Sequence, residues 1–392
     1  EKLKTQDAMA YHQCYYIGKK VGYPLYENTD VVFYKEAADG FHAQIEEMKK
    51  AQKFIFMEYH AIEDREAFAE MKAVLFAKAK EGVEIRIVYD DVGSVGFISP
   101  EFVKQMKAHG IDCRIFNPMM PVLNIFMNNR DHRKITVIDG MVGFTGGYNL
   151  ANEYFNITHP YGVWKDSGVR LEGEAVRSLT LIFLEMWNAI RDTDTAYETY
   201  LPDCVFEAKG GGYVQPYADS PLDKERVGEN VYMNIIKGAT EYVYFITPYL
   251  IISDEMKREL GLAAKRGIDV RIVTPGIPDK KLVYKLTRSY YAGLIRDGVR
   301  IYEYTPGFCH AKQCICDGKI ATVGTINLDY RSLYFHFENG VYLYDVPAIK
   351  DIRQDFEEVF AVSTEVGNNY HTTRSPLKKL GQYFLRLFAP LL

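Results

Sequence analysis

The chain has 392 residues, 47% apolar and 25% charged, with a net charge of −5. That length suits two domains at about 100–200 residues each, each able to bury a core. The acidic balance argues against a nucleic-acid binder, which carries a basic excess, and six scattered cysteines exclude the disulfide framework of a small secreted protein.

In chain order, the first strong signal is AQKFIFMEYHAIEDREAFAEM at residues 51–71: a short apolar run, a turn with Asp, then a helix-like stretch. AKEGVEIRIVYDD at 79–91 reads as a helix end, a C-cap glycine and an alternating strand, and AHGIDCRIFNP at 108–118 as a similar unit. Residues 115–129, IFNPMMPVLNIFMNN, carry no charge, and two prolines oppose a regular helix. They read as a buried loop or as a lipid-facing lip of the site, with Met119, Met120, Leu123, Ile125 and Phe126 toward acyl chains. Then comes His132-Arg-Lys134, with Asp139-Gly140 five residues on and Asn149 after a Gly-Gly-Tyr. Trp164-Lys165-Asp166 follows. Three glycines at 210–212 inside residues 198–216 mark a joint.

Beyond the joint the pattern returns: ATEYVYFITPYLIISDEMKREL at 239–260, AKRGIDVRIVTPG at 264–276, RDGVRIYEYTP at 296–306, then His310-Ala-Lys312, Asp317-Gly318 and Asn327. The copies are offset by 178–188 residues, and His to Asn is 17 residues in both. The expected limits are 1–205 for the first lobe, 213–370 for the second and 371–392 for a basic amphipathic tail, in which Lys378, Lys379 and Arg386 interleave with Leu, Tyr and Phe. Strand–helix–strand alternation in each half predicts an α/β fold with mixed, mostly parallel sheets flanked by helices, the two lobes related by a pseudo-two-fold axis.

One HxK is weak, but two HxKx4D motifs with equally spaced Asn residues are not chance. Alternation on a strand puts each His and Lys on one face. Two His, two Lys and two Asn make a positive, donor-rich pocket for a phosphodiester. One imidazole can attack phosphorus, and the other can protonate the leaving alkoxide and later deprotonate the incoming alcohol. Lys134, Lys312, Asn149 and Asn327 would hold the charged phosphoryl oxygens. This chemistry calls for no metal and no cofactor. Asp139 and Asp317, on turns, are expected to serve the site structurally. Asp166 and Glu338, 34 and 28 residues after their motif His, are candidates to fix an imidazole tautomer. Glu58, Tyr59, Arg130, Tyr249 and Tyr291 are placed as pocket residues because strand ends face the ligand crevice in such folds; Phe126 joins them as a lipid contact.

Together NRDHRKITVIDGMVGFTGGYNLANEY, VWKDSGVRLEG, ITPYLIISDEM, RSYYAGLIRDGVRIYEYTPGFCHAK, VGTINLDYRSLYFHFEN and the ending SPLKKLGQYFLRLFAPLL resemble the phospholipase D superfamily, and within it the bacterial cardiolipin synthases. The resemblance covers nearly the whole chain from about residue 20. It implies two similar α/β lobes with the site between them, a covalent phosphatidyl-histidine on His132, and His310 as general acid and base. It implies phosphatidylglycerol as the lipid substrate, joined to a second copy to give cardiolipin and glycerol, at the anionic cytoplasmic face of a bacterial membrane. Lys165 departs from the family's usual Arg, and no membrane helix is visible, leaving an anchor before Glu1 open. The rival readings are a hydrolase, phosphodiesterase or nuclease of the same fold, a phosphatidylserine synthase using a nucleotide-lipid donor, and an inactive membrane scaffold. Oligomeric state is not legible.

Overall fold

The two copies of the repeat fold into two sheets with matching strand order. The computed structural model describes residues 2–119, 128–194, 196–203, 205–367 and 370. The first sheet runs Thr29–Tyr34, Gly168–Gly173, Val142–Gly146, Lys134–Ile138, Phe54–Tyr59, Glu84–Asp90, Asp112–Phe116. The second runs Tyr213–Asp219, His336–Tyr344, Ile320–Gly324, Gln313–Cys316, Tyr242–Ile246, Asp269–Pro275, Arg300–Tyr304, with Ser363–Glu365 added at the edge. Each strand of the first sheet has its counterpart at the same place in the second, as a duplicated unit requires.

The α/β class holds, and the sheets are mixed, but the expectation of mostly parallel pairing does not hold. Among the described residues of the first sheet, parallel pairing joins only Phe54–Tyr59, Glu84–Asp90 and Asp112–Phe116, and the remaining neighbours are antiparallel. The reason is local. After each motif the chain turns at an Asp-Gly pair whose residues both have positive φ: 52° and 70° at Asp139 and Gly140, 51° and 67° at Asp317 and Gly318. Such turns return a strand antiparallel on its neighbour.

Helices Ala37–Lys49, Glu66–Lys80 and Pro100–Ala108 cover the outer face of the first sheet through a core with Met57, Phe68, Ile87 and Phe102. Val227–Gly238, Asp254–Lys265 and Lys281–Arg296 do the same for the second. Between the sheets lie Val176–Ile190 and Ala348–Ala361, inside one continuous apolar core with Phe56, Leu171, Phe183, Trp187, Tyr244, Val341 and Phe356. The short N-terminal helices Lys2–Gln6 and Ala8–Tyr15 pack on the second lobe, burying Leu3, Ala10 and Cys14 there. Gln13 donates to the Val231 carbonyl at 3.1 Å.

Two short parallel pairings cross between lobes. Arg130–Asp131 pairs with the start of His336–Tyr344, and Gly307–Cys309 pairs with Val163–Lys165. Among the described residues no helix is long and apolar enough to cross a membrane.

Candidate active site

Those cross-lobe pairings put the two motifs at one cleft. Asp131 is paired with Phe337, and the next residues are His132 on one side and Glu338 on the other; Cys309 is paired with Lys165, and the next residues are His310 and Asp166. Each imidazole therefore meets the carboxylate of the opposite lobe. His132 Nδ1–H donates to Glu338, 3.0 Å from each oxygen. His310 Nδ1–H donates to Asp166 Oδ2 at 2.7 Å. The sequence pattern paired each carboxylate with its own half, because Asp166 and Glu338 follow their own motifs; the strand crossing exchanges them. With Nδ1 engaged, each ring keeps Nε2 for the cleft.

Both carboxylates are fully buried. Burial pushes Glu338 upward, but His132 and His336 beside it outweigh this and hold it far below the carboxylate range. Thr325 and Ser332 hydroxyls donate to its two oxygens at 2.5 and 2.6 Å. Burial likewise raises Asp166, and His310 and Lys312 outweigh it and hold it low. The GxxN tails differ for a steric reason: a Cβ at Gly147 would stand 2.1 Å from Asp166 Oδ1, whereas its counterpart Thr325 binds Glu338.

Burial pushes His132 well below its ordinary pKa, with Lys134 adding to this and Glu338 opposing it. Burial and Lys312 lower His310 to about 4. Lys134 is lowered to about 8 and Lys312 to about 7, burial being the main cause of both. Lys134 Nζ donates to the His132 carbonyl at 2.6 Å, and Lys312 Nζ lies 2.9 Å from His310 Nε2. Asn149 donates to the Tyr154 hydroxyl at 2.8 Å, while Asn327 Oδ1 is buried without a hydrogen-bond partner among the described residues. These groups suit a phosphodiester: two buried cations can gather on anionic oxygens, with His132 Nε2 on one side and His310 Nε2, beside the Lys312 ammonium, on the other.

The cleft, about 280 Å³, is lined by both motif His and Asn residues, with Arg130 and Tyr249. Arg130 is held by the Asp90 carboxylate at 2.9–3.1 Å. Tyr249 donates to Asp279 at 2.5 Å.

Other expected residues lie elsewhere. Asp139 accepts the backbone N–H groups of Gln52, Lys53 and Phe54 at 2.7–2.9 Å, and Asp317 those of Thr240, Glu241 and Tyr242 at 2.8–2.9 Å. They anchor the central strands and do not line the cleft. Glu58 is buried 3.6 Å from Arg133 instead of facing the cleft. Tyr59 bonds Gln44 and Thr136 in the outer core, and Tyr291 bonds Thr274 at 2.6 Å in the second core. Lys165 turns away to Asp355 at 2.8 Å. Phe126 and the 371–392 tail lie outside the described residues.

Sequence reading missed the aromatic wall of the cleft. Trp164 and Tyr154 rings sit 5.2 and 5.3 Å from the His310 ring, while His60 and His336 sit 5.2 and 5.4 Å from the His132 ring. His60 had a visible signal: it stands where the second copy has Pro248.

A family model described as cardiolipin synthase, PLD-like domain, matches residues 44–187 and 232–360. The chain belongs to the cardiolipin synthase, phospholipase D-like family. Cardiolipin synthase 2 of Bacillus cereus is 37% identical to this family member over 90% of its chain and 68% of that protein. A Streptococcus mutans protein with no activity in its name is 44% identical, covering 100% of this chain and 85% of its own. The crystal structure of phosphatidylserine synthase from Haemophilus influenzae Rd KW20 superposes with a TM-score of 0.74 at 14% identity, covering 97% and 100% of the two chains. That last likeness concerns the fold. The resemblance drawn from the paired motifs is thereby borne out, and the family is one of phosphatidyl-transferring enzymes.

Proposed function

We propose that the protein is a cardiolipin synthase that moves a phosphatidyl group from one phosphatidylglycerol to another through a covalent phosphatidyl-histidine. The observation that carries this reading is the pair of imidazoles, each hydrogen-bonded at Nδ1 to a buried carboxylate of the other lobe. In the first step His132 Nε2 forms a bond to phosphorus, the bond to the headgroup glycerol oxygen breaks, and a proton from His310 Nε2 leaves with glycerol. In the second step the glycerol hydroxyl of another phosphatidylglycerol gives its proton to His310, its oxygen attacks phosphorus, and His132 departs. Lys134, Lys312, Asn149 and Asn327 neutralise the phosphoryl oxygens in both steps. Glu338 and Asp166 are positioning residues that keep the Nδ1–H tautomer and stabilise the imidazolium.

His310, at about 4 beside Lys312, becomes the acid only when an anionic phosphodiester draws the Lys312 ammonium to its own oxygens. The family match over residues 44–187 and 232–360, the exposed Met119 and the basic sequence of residues 371–392 support a two-lobed protein working on an anionic bacterial membrane, at its cytoplasmic face. The test is purified protein on phosphatidylglycerol vesicles with products resolved by mass. Cardiolipin with equimolar glycerol is expected; phosphatidic acid alone would make the protein a hydrolase.

A further inference from the structure

The two halves of the cleft differ at the position two residues before each buried carboxylate. Two residues before Asp166 stands Trp164, and two residues before Glu338 stands His336. The rings lie against the two motif histidines, Trp164 on His310 and His336 on His132. His336 is largely buried, and among the described residues neither of its ring nitrogens has a hydrogen-bond partner. A buried unpaired polar group costs about 1–3 kcal/mol, so this imidazole is poorly satisfied where it is. Its Nδ1 stands 3.6 Å from Glu338 Oε1, the oxygen that lies 3.0 Å from His132 Nδ1. His132, His336 and Glu338 each bring one ligand atom within 4.8 Å of the others. Ligand atoms around a tetrahedral zinc-class ion, with bonds near 2.0–2.1 Å, are about 3.3 Å apart. Small ring rotations close that gap.

We propose that His132, His336 and Glu338 form an inhibitory site for a zinc-class divalent transition-metal ion. The donor set, two imidazoles and a carboxylate, is the one such ions favour. On binding, the Nδ1 proton that His132 shares with Glu338 leaves to solvent, and the ion takes its place between nitrogen and oxygen. His132 Nε2 still faces the cleft, but its electron density is drawn to the metal, and Glu338 no longer stabilises the imidazolium. Among the described residues no comparable trio surrounds His310, where Trp164 offers no ligand atom, so the ion acts on one half only. The inhibitory part rests on His132 being the nucleophile; the binding part does not.

The test uses the full chain with Zn²⁺ or Co²⁺ alone, comparing wild type with His336→Asn and His336→Gln, each shown to be folded by circular dichroism. Co²⁺ is expected to give the wild type the intense visible bands of a low-coordinate nitrogen–oxygen site, absent in both variants. Zn²⁺ is expected to suppress wild-type turnover on phosphatidylglycerol vesicles reversibly, with EDTA restoring it. The half-inhibiting Zn²⁺ concentration, relative to each protein's own uninhibited rate, should rise about tenfold or more in the variants. Equal Co²⁺ spectra in wild type and variants overturn the site. A wild-type Co²⁺ band without Zn²⁺ inhibition keeps the binding and overturns the inhibition. Absence of turnover in metal-free wild type counts against the synthase reading and leaves the Co²⁺ result to decide the site.

Discussion

A single proton on each imidazole decides what that ring can do. Glu338 accepts the Nδ1–H of His132 while itself receiving two hydroxyls, which fix the direction of its oxygens. In Glu338→Gln one accepting oxygen becomes an NH₂ donor facing Nδ1 and the negative charge is lost, so the tautomer is held less firmly and the imidazolium is no longer stabilised. Turnover is expected to fall about 10²-fold or more with little change in KM; unchanged kcat in a folded variant would remove Glu338 from its positioning role. In the proposed mechanism the two lysines set a pH limit. Burial lowers Lys312 to about 7 and Lys134 to about 8, so the ammonium charge is present below those values and lost above them. Accordingly kcat/KM, which reports the free enzyme, should fall as pH rises through that window. Lys312→Arg, whose charge persists, should extend activity to higher pH; a wild-type profile flat to about pH 9 would contradict the clamp. A phosphate analogue in the cleft should raise the His310 pKa from about 4, visible as a shift in the Nε2 resonance with pH. An unmoved titration would count against His310 as the acid.

Elements hold these residues in place through a few fixed points. Asp139 receives three backbone N–H groups at the start of Phe54–Tyr59, tying the turn after the motif to the central strand. Asp139→Ala leaves those donors without their acceptor and should cost about 2–3 kcal/mol in denaturant unfolding. Phe183, stacked at 4.6 Å on Phe56 inside the helix between the sheets, should cost about 3–5 kcal/mol when cut to Ala. Equal stability in either variant would refute the assignment for that residue. Much of this level was legible. The Gly-bounded alternating strands, the repeated helices and both Asp-Gly turns all stand where their patterns lie. Facing was harder to read. Tyr59 and Tyr291 end up in cores because helices cover the side of the sheet they face, and periodicity does not say which side is covered. Glu58 was misplaced in the pocket for a related reason: its partner Arg133 lies between the two motif positions and points to the opposite face from them.

At the scale of the molecule the lobes are not separable beads. One core runs between both sheets, and the N-terminal helices serve the lobe they are farther from in sequence. Removing residues 1–21 should therefore lower the melting temperature of the whole chain while leaving the first lobe's own sheet contacts intact; an unchanged melting curve would show those helices to be ornamental. The paired motifs made two lobes and one shared cleft readable from sequence alone. The exchange of carboxylates was not readable, because equal spacing within each copy is the same whether partners are kept or swapped. Only the crossing strands at Arg130–Asp131 and Gly307–Cys309 decide it.

The exchange also sets a clock on biosynthesis. Glu338 follows His132 by 206 residues, so a ribosome has made the first imidazole, its lysine and its asparagine long before their partner exists. A growing chain that has completed its first lobe holds a histidine with no carboxylate and a carboxylate with no histidine. In the proposed mechanism, phosphatidyl transfer can begin only when the second lobe has been translated and has docked.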